Sequence, residues 1–230
     1  MPLLSVLSVR IRPEKIQEHE ALVAEIAQRA RDAGETFHWT AHQVMMGDLQ
    51  TLYFSSVSED FNALSQRGQA PEMVTRLLGE KQAQKTESAI NACTQEVRLS
   101  VFTERADLSY QPDQPVEMSP LSANTTIRAR NGEFEACEEL LRKLAEAIPK
   151  VGDPARIVTW QPVIGDLAVY VAVRPLQDLA DLDKQMSPPE LLSAAFGPAE
   201  GGLIYRAGLN AIESATRDIV ILRPDLSNPK

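Results

Sequence analysis

This sequence predicts an α+β chain made of two tandem copies of one β-α-β-β-α-β unit. Three observations support this: the chain matches itself in one ungapped register, both copies show the same order of strand-like and helix-like stretches, and a proline-rich join separates them.

The self-match is clearest at RADLS, residues 105–109, which returns as RPDLS at 223–227. A shift of 118 positions lays residues 1–112 over 119–230 without a gap. Turn and cap residues coincide: Gly34 with Gly152, Gly47-Asp48 with Gly165-Asp166, Pro71 with Pro189, Gly79 with Gly197. So do polar residues: Arg10 with Arg128, Glu20 with Glu138, Gln43 with Gln161, Arg105 with Arg223, Asp107 with Asp225, Ser109 with Ser227. Apolar pairs such as Val9/Ile127, Val23/Leu141 and Val101/Ile219 fall between them. A chance register does not align turns and core together, so the halves are read as a duplication. SYQPDQPVEMSPLSA, residues 109–123, is polar, proline-rich and without a period, as an extended linker is. The expected organisation is residues 1–112 as the first repeat and 113–230 as linker plus second repeat.

Each element has a local reason. LLSVLSVRI at 3–11 is β-rich and partly alternating, so it reads as a strand. Pro13 suits the first turn of a helix whose apolar face is Ile16, Leu22, Val23, Ile26, Ala27 and Ala30, closed by Gly34. The second copy repeats this with Asn131 as N-cap, then Phe134, Cys137, Leu140, Leu141, Leu144 and Ile148, closed by Gly152. FHWTAHQVM and QTLYFSSV form a hairpin over Gly47-Asp48, as IVTWQPVI and AVYVAV do over Gly165-Asp166. A two-residue type II′ turn accounts for the glycine. A helix follows with Ser58 as N-cap, then extra helices over 70–98 and 187–217, then a last strand, RLSVFTE or RDIVIL. This is the split βαβ, ferredoxin-like order.

Composition narrows the function. The 230 residues carry a net charge of −9 with no long basic run, which argues against a nucleic-acid or anionic-membrane partner. No stretch approaches the roughly 20 apolar residues of a membrane helix, and the N-terminus lacks the basic region of a signal peptide. Cys93 and Cys137 show no pairing or metal spacing, so a cytoplasmic chain with reduced thiols is expected. There is no glycine-rich phosphate loop and no nucleophile elbow.

A doubled ferredoxin-like unit with this element order and a Gln43/Gln161-to-Gly-Asp hairpin resembles the dimeric α/β-barrel superfamily. Its members include antibiotic-biosynthesis-monooxygenase-like and NIPSNAP-like proteins. The resemblance implies two four-stranded sheets that cover each other, here supplied by one chain as an intramolecular dimeric α/β-barrel, with extra helices before the last strand of each repeat. It also implies a cofactor-independent small-molecule enzyme, monooxygenase- or isomerase-like. The alternative is a non-catalytic barrel that binds a ligand or a partner protein. A haem role is not expected, because residues 113–230 contain no histidine.

Strand alternation sorts the candidate residues. Leu7, Val9 and Ile11 share one face, assigned to the helices; Val6, Ser8 and Arg10 share the other, as Asn124, Thr126 and Arg128 do. A buried arginine must be paired or bind an anion, so Arg10 and Arg128 are the expected anion contacts. Their plainer reading is a strand-end arginine paired with a carboxylate. HWTAH supplies His38 and His42, matched by Arg156 and Trp160. On a strand, four residues span about 13 Å, too far for one ion, so no metal is expected, and the resemblance implies no cofactor. His42 is the candidate general base, with His38 and Trp160 as further ligand contacts. The expected partner is a small molecule, and the helical additions offer a surface through which two copies could form a homodimer.

Overall fold

The computed structural model describes residues 2–66, 70–111, 119–153 and 156–229. The repeat order is present in both halves. The first runs β1 (Leu3–Ile11), α1 (Ile16–Asp32), β2 (Thr40–Met46), β3 (Thr51–Ser58), α2 (Phe61–Gln66), α3 (Ala70–Leu78), α4 (Glu80–Cys93) and β4 (Thr94–Glu104). The second runs β5 (Leu121–Ala129), α5 (Phe134–Lys150), β6 (Val158–Ile164), β7 (Val169–Leu176), α6 (Pro188–Phe196), α7 (Pro198–Ala211) and β8 (Ile212–Leu222). A short 3-10 turn at Leu179–Leu182 stands where the first half has α2. The hydrogen-bonded order is the same in the two halves, β1-β3-β2 in the first and β5-β7-β6 in the second.

The chain groups into two compact units, and the cut is not the repeat boundary. Unit 1 is Met1–Phe102 with Ile221–Lys230; unit 2 is Thr103–Val220. The end of each repeat, with its R-x-D-L-S, therefore groups with the other repeat's body. Residues 112–118 of the expected linker lie outside the described residues.

In unit 1, β1 pairs with β3 from Leu3↔Ser58 to Arg10↔Thr51, and β2 pairs with β3 through His42↔Tyr53. The odd face of β1 packs on α1: Val9, Ile11, Val23, Ala41, Leu52 and Leu226 form one cluster, with Leu7 and Phe54 against it. A second cluster joins Ile26, Ala27, Ala30 and Trp39 to Met73, Val74 and Ala83 of α3 and α4. Unit 2 repeats the plan, with Ile127, Ala129, Cys137, Leu141 and Tyr170 in one cluster and Leu140, Ile148, Leu191 and Leu192 in another. The assignment of the odd face to the helices thus holds in both units.

Several boundaries differ from expectation, each for a local reason. The hairpin loops hold four residues, 47–50 and 165–168, rather than two. Gly47 takes the positive φ, and the Asp48 carboxylate accepts Gln50 N–H and the Thr51 hydroxyl, so the aspartate folds a longer turn. Ser58 is the last, buried residue of β3, and the helix is capped by Asp60, which accepts Ala63 N–H at 2.7 Å. Glu133, not Asn131, precedes α5. β4 and β8 begin at Thr94 and Ile212, directly at the ends of α4 and α7, earlier than hydrophobicity suggests. Residues 95–99 and 213–217 are exposed, so no burial pattern marks them.

His19 is buried on α1, and its Nδ1 has no hydrogen-bond partner among the described residues. Cys137, a small apolar residue, holds the equivalent place in unit 2. His19→Leu is therefore expected to raise stability by about 1 kcal/mol, read as a shifted denaturation midpoint, because an unpaired buried polar atom is removed. A lower midpoint would mean that the imidazole is bonded in solution.

Candidate functional site

The repeated polar residues meet in two equivalent clusters, one per unit. In unit 2, Arg105 donates to both Glu138 oxygens at 2.7 and 2.8 Å, to both Asp107 oxygens at 2.8 Å and to Gln161 Oε1 at 2.7 Å. Tyr170 Oη completes the set on Glu138 at 2.7 Å. In unit 1, Arg223 donates to Glu20, to both oxygens of Asp225 and to Gln43. Each guanidinium thus engages two carboxylates and an amide, as its planar fork allows. The backbone is tied as well. Thr159 N–H donates to Ser109 Oγ and Ala41 N–H to Ser227 Oγ, while Thr159 Oγ1 and Trp39 Nε1 donate to the carbonyls of Leu108 and Leu226. Leu108 and Leu226 are buried beneath. The clusters are locks that seat the R-x-D-L-S segments.

These locks carry a pH dependence. Hydrogen bonds from Arg105 hold Glu138 and Asp107 below the usual carboxylate range, and Arg223 does the same to Asp225. A depressed carboxylate adds stability above its unfolded pKa, about 4, and that stability is lost as pH falls through the folded value. Stability should therefore drop below about pH 4, and Glu138→Gln should flatten that drop in an acid denaturation series. An unchanged profile would contradict the lock.

Arg10 and Arg128 form the second repeated ion pair. Arg10 is exposed, with Nε 3.6 Å from Asp48 of its own hairpin. Arg128 holds Asp166 and, at 3.1 Å, Glu213. Both sit near strand ends with these carboxylates engaged.

The face of each sheet away from the helices is where the units differ. In unit 1, register places Ser8, Tyr53 and His42 in one row, with Val6, Ser55 and Thr40 in the next. In unit 2 the same rows are Thr126, Val171 and Trp160, then Asn124, Val173 and Val158. The first face is polar and the second mostly apolar. Burial pushes the His42 imidazolium pKa below its ordinary value, so the ring is neutral at pH 7 and able to accept a proton.

His38 lies before β2, not on it, because Trp39 is tied by a backbone bridge to Asn228. Its Nδ1 is buried without a hydrogen-bond partner among the described residues. Arg156 likewise precedes β6 and donates to Gln111. Among the described residues no group of three or more His, Cys, Asp or Glu is placed to hold a metal. Cys93 and Cys137 are both buried and free; burial pushes the Cys137 thiol up to about 11, which makes it a poor nucleophile. Tyr53 and Ser8 were not sequence candidates as neighbours of His42, since only register brings the three together.

No family model matches the chain, and no curated protein matches it in sequence. Solved structures do. An anthrone oxidase-like protein matches over 100% of this chain and 94% of its own, at TM-score 0.60 and 15% identity. A protein of Lactobacillus acidophilus NCFM, provisionally named a monooxygenase, matches over 99% and 97%, at 0.55 and 7%. Chlorite dismutase from Candidatus Nitrospira defluvii, in complex with imidazole, matches over 97% and 92%, at 0.54 and 9%. The chain shares the fold of these proteins. At these identities the likeness shows the fold alone. The tandem ferredoxin-like α+β barrel, with added helices before the last strand of each repeat, is as the sequence predicts. Among the described residues no helix of this barrel is long and apolar enough to cross a membrane.

Proposed function

We propose that this chain is a cofactor-independent small-molecule enzyme in which neutral His42 removes a proton from an acidic C–H group. The observation that carries the proposal is the row Ser8–Tyr53–His42 in unit 1, a desolvated base in register with two hydroxyl side chains. The fold is shared with proteins named for anthrone oxidation and monooxygenation. In the oxidase form of the reaction, His42 takes one proton from a methylene and the carbanion combines with O2. One oxygen atom becomes the product carbonyl, and the other leaves as water with both hydrogens. In the isomerase form, the same imidazolium returns the proton to another carbon.

His38 is a further proposed contact in unit 1, and Trp160 is the proposed stacking surface of unit 2. An anion contact at Arg10 or Arg128 requires release of Asp48 or Asp166, and His42 carries the proposal without them.

Oxygen uptake with dithranol, an anthrone, tests this. Wild type is expected to exceed the buffer rate, and His42→Gln to lose about 10²-fold in kcat with unchanged stability. Because burial lowers the His42 pKa, the acid limb of kcat/KM should lie below pH 6.5, the value of an unperturbed imidazole. Equal rates in wild type and His42→Gln would end the proposal and favour a non-catalytic binding barrel.

A further inference from the structure

Unit 2 departs from unit 1 at the Leu7–Phe54 position on the helix-packed side of its sheet. In unit 1, Leu7 and Phe54 are register partners there and pack against the core beside α1. The equivalent partners in unit 2 are Thr125 and Ala172. Two neighbouring large apolar side chains are thus replaced by small ones, and neither belongs to the hydrophobic clusters of unit 2. Two arginines stand beside them instead. Arg174 is two residues past Ala172 on the same face, where unit 1 has Ser56. Arg217 reaches Thr125 Oγ1 with Nε at 3.0 Å, from a position that is Leu99 in unit 1.

The charges there are incompletely matched. Arg174 retains 18% of its side-chain exposure, and its carboxylate contact is Asp153 at 3.5 Å. Asp181, also within electrostatic reach of Arg174, is held by Lys184 at 2.8 Å and by Gln177 N–H. Arg217 makes no ion pair among the described residues, and its charge acts repulsively on Arg174. Burial first, with that repulsion, outweighs Asp153 and Asp181 and lowers the Arg174 pKa. Two guanidiniums brought together on a partly desolvated surface, with one ion-paired carboxylate, Asp153 on Arg174, favour a further anion.

We propose that Arg174, Arg217 and Thr125 bind the carboxylate of a small organic acid, whose apolar body takes the space over Ala172 that Phe54 fills in unit 1. A carboxylate suits a guanidinium fork and a hydroxyl donor, and the shortened side chains suit a ring-sized apolar group. The site lies wholly in unit 2, so it is independent of the His42 proposal.

The test is a titration of the whole chain with benzoate, followed by amide chemical shifts, with sulfate as a second arm. Saturable benzoate shifts are expected at Thr125, Ala172 and Arg174, with sulfate much weaker because it lacks the apolar body. Arg217→Gln, a change at an exposed residue, should weaken benzoate about tenfold or more, as loss of a charge-assisted hydrogen bond does. Ala172→Phe, which transplants the unit 1 residue, should abolish binding while keeping the fold. Absence of saturation, sulfate binding as tightly as benzoate, or undiminished affinity in Arg217→Gln would each overturn the proposal. Neither readout involves turnover, so failure here leaves the His42 reading standing, and the converse holds.

Discussion

Arg105→Ala is expected to lower the free energy of unfolding by about 2–4 kcal/mol. The guanidinium and the Glu138 carboxylate each retain about a fifth of their side-chain exposure, 21% and 22%. They are therefore screened less than a surface pair, whose worth is about 0–1 kcal/mol, and more than a fully buried one, whose breaking costs about 3–5. Removal of Arg105 leaves Glu138 charged and bonded to Tyr170 alone of its two partners, and Gln161 Oε1 loses its donor. Arg105→Lys keeps the charge but not the fork, and should recover less than half of the loss. Arg223→Ala should show a similar but smaller effect, because the Arg223–Glu20 contacts are longer, 3.1 and 3.2 Å, and Gln43 Nε2 still donates to Glu20 at 3.0 Å. Urea denaturation with an unchanged slope would report these losses.

The second large effect is expected at a helix contact. A methyl group on Gly201 of α7 would stand 2.5 Å from the backbone carbonyl of Leu192 on α6. Backbone cannot rotate away as a side chain does, so Gly201→Ala must push the helices apart, at a cost of about 1–3 kcal/mol. The neighbouring Gly202 is the control. A methyl there meets only the flexible end of Arg206, at 3.5 Å, and alanine should add up to about 1 kcal/mol through helix propensity. Opposite signs at adjacent positions would establish close approach, not glycine flexibility, as the reason for Gly201. Ala83 holds this place in unit 1, so α3 and α4 already accept a methyl group.

The architecture was legible because it is written twice. Gly34 and Gly152 end equivalent helices, Gly47 and Gly165 open equivalent turns, and the apolar spacing of α1 recurs in α5. Boundaries were less legible where tertiary contacts decide them. His38 reads as a strand residue until Trp39 is seen tied to Asn228. Ser58 and Asn131 are good caps by type, yet Asp60 and Glu133 precede the helices because β3 runs on and α5 starts later. The identities had a meaning that sequence alone did not disclose. Glu20, Gln43, Arg223 and Asp225 lie far apart in the chain but form one lock, as Glu138, Gln161, Arg105 and Asp107 form the other. His42, Tyr53, Arg174 and Arg217 sit instead where the repeats differ, and there the chemistry is proposed. Cross-strand register assembles those neighbours, and it cannot be read from composition or period.

The central claim is that the residues shared by the two repeats hold the R-x-D-L-S segments in place. Double-mutant cycles on Arg105 with Glu138 and on Arg223 with Glu20, read by urea denaturation, test it most directly. Coupling of about 1 kcal/mol or more in both cycles is predicted. Additive losses in either cycle would mean that the shared residues merely lie near one another and that the repeated motif has another purpose.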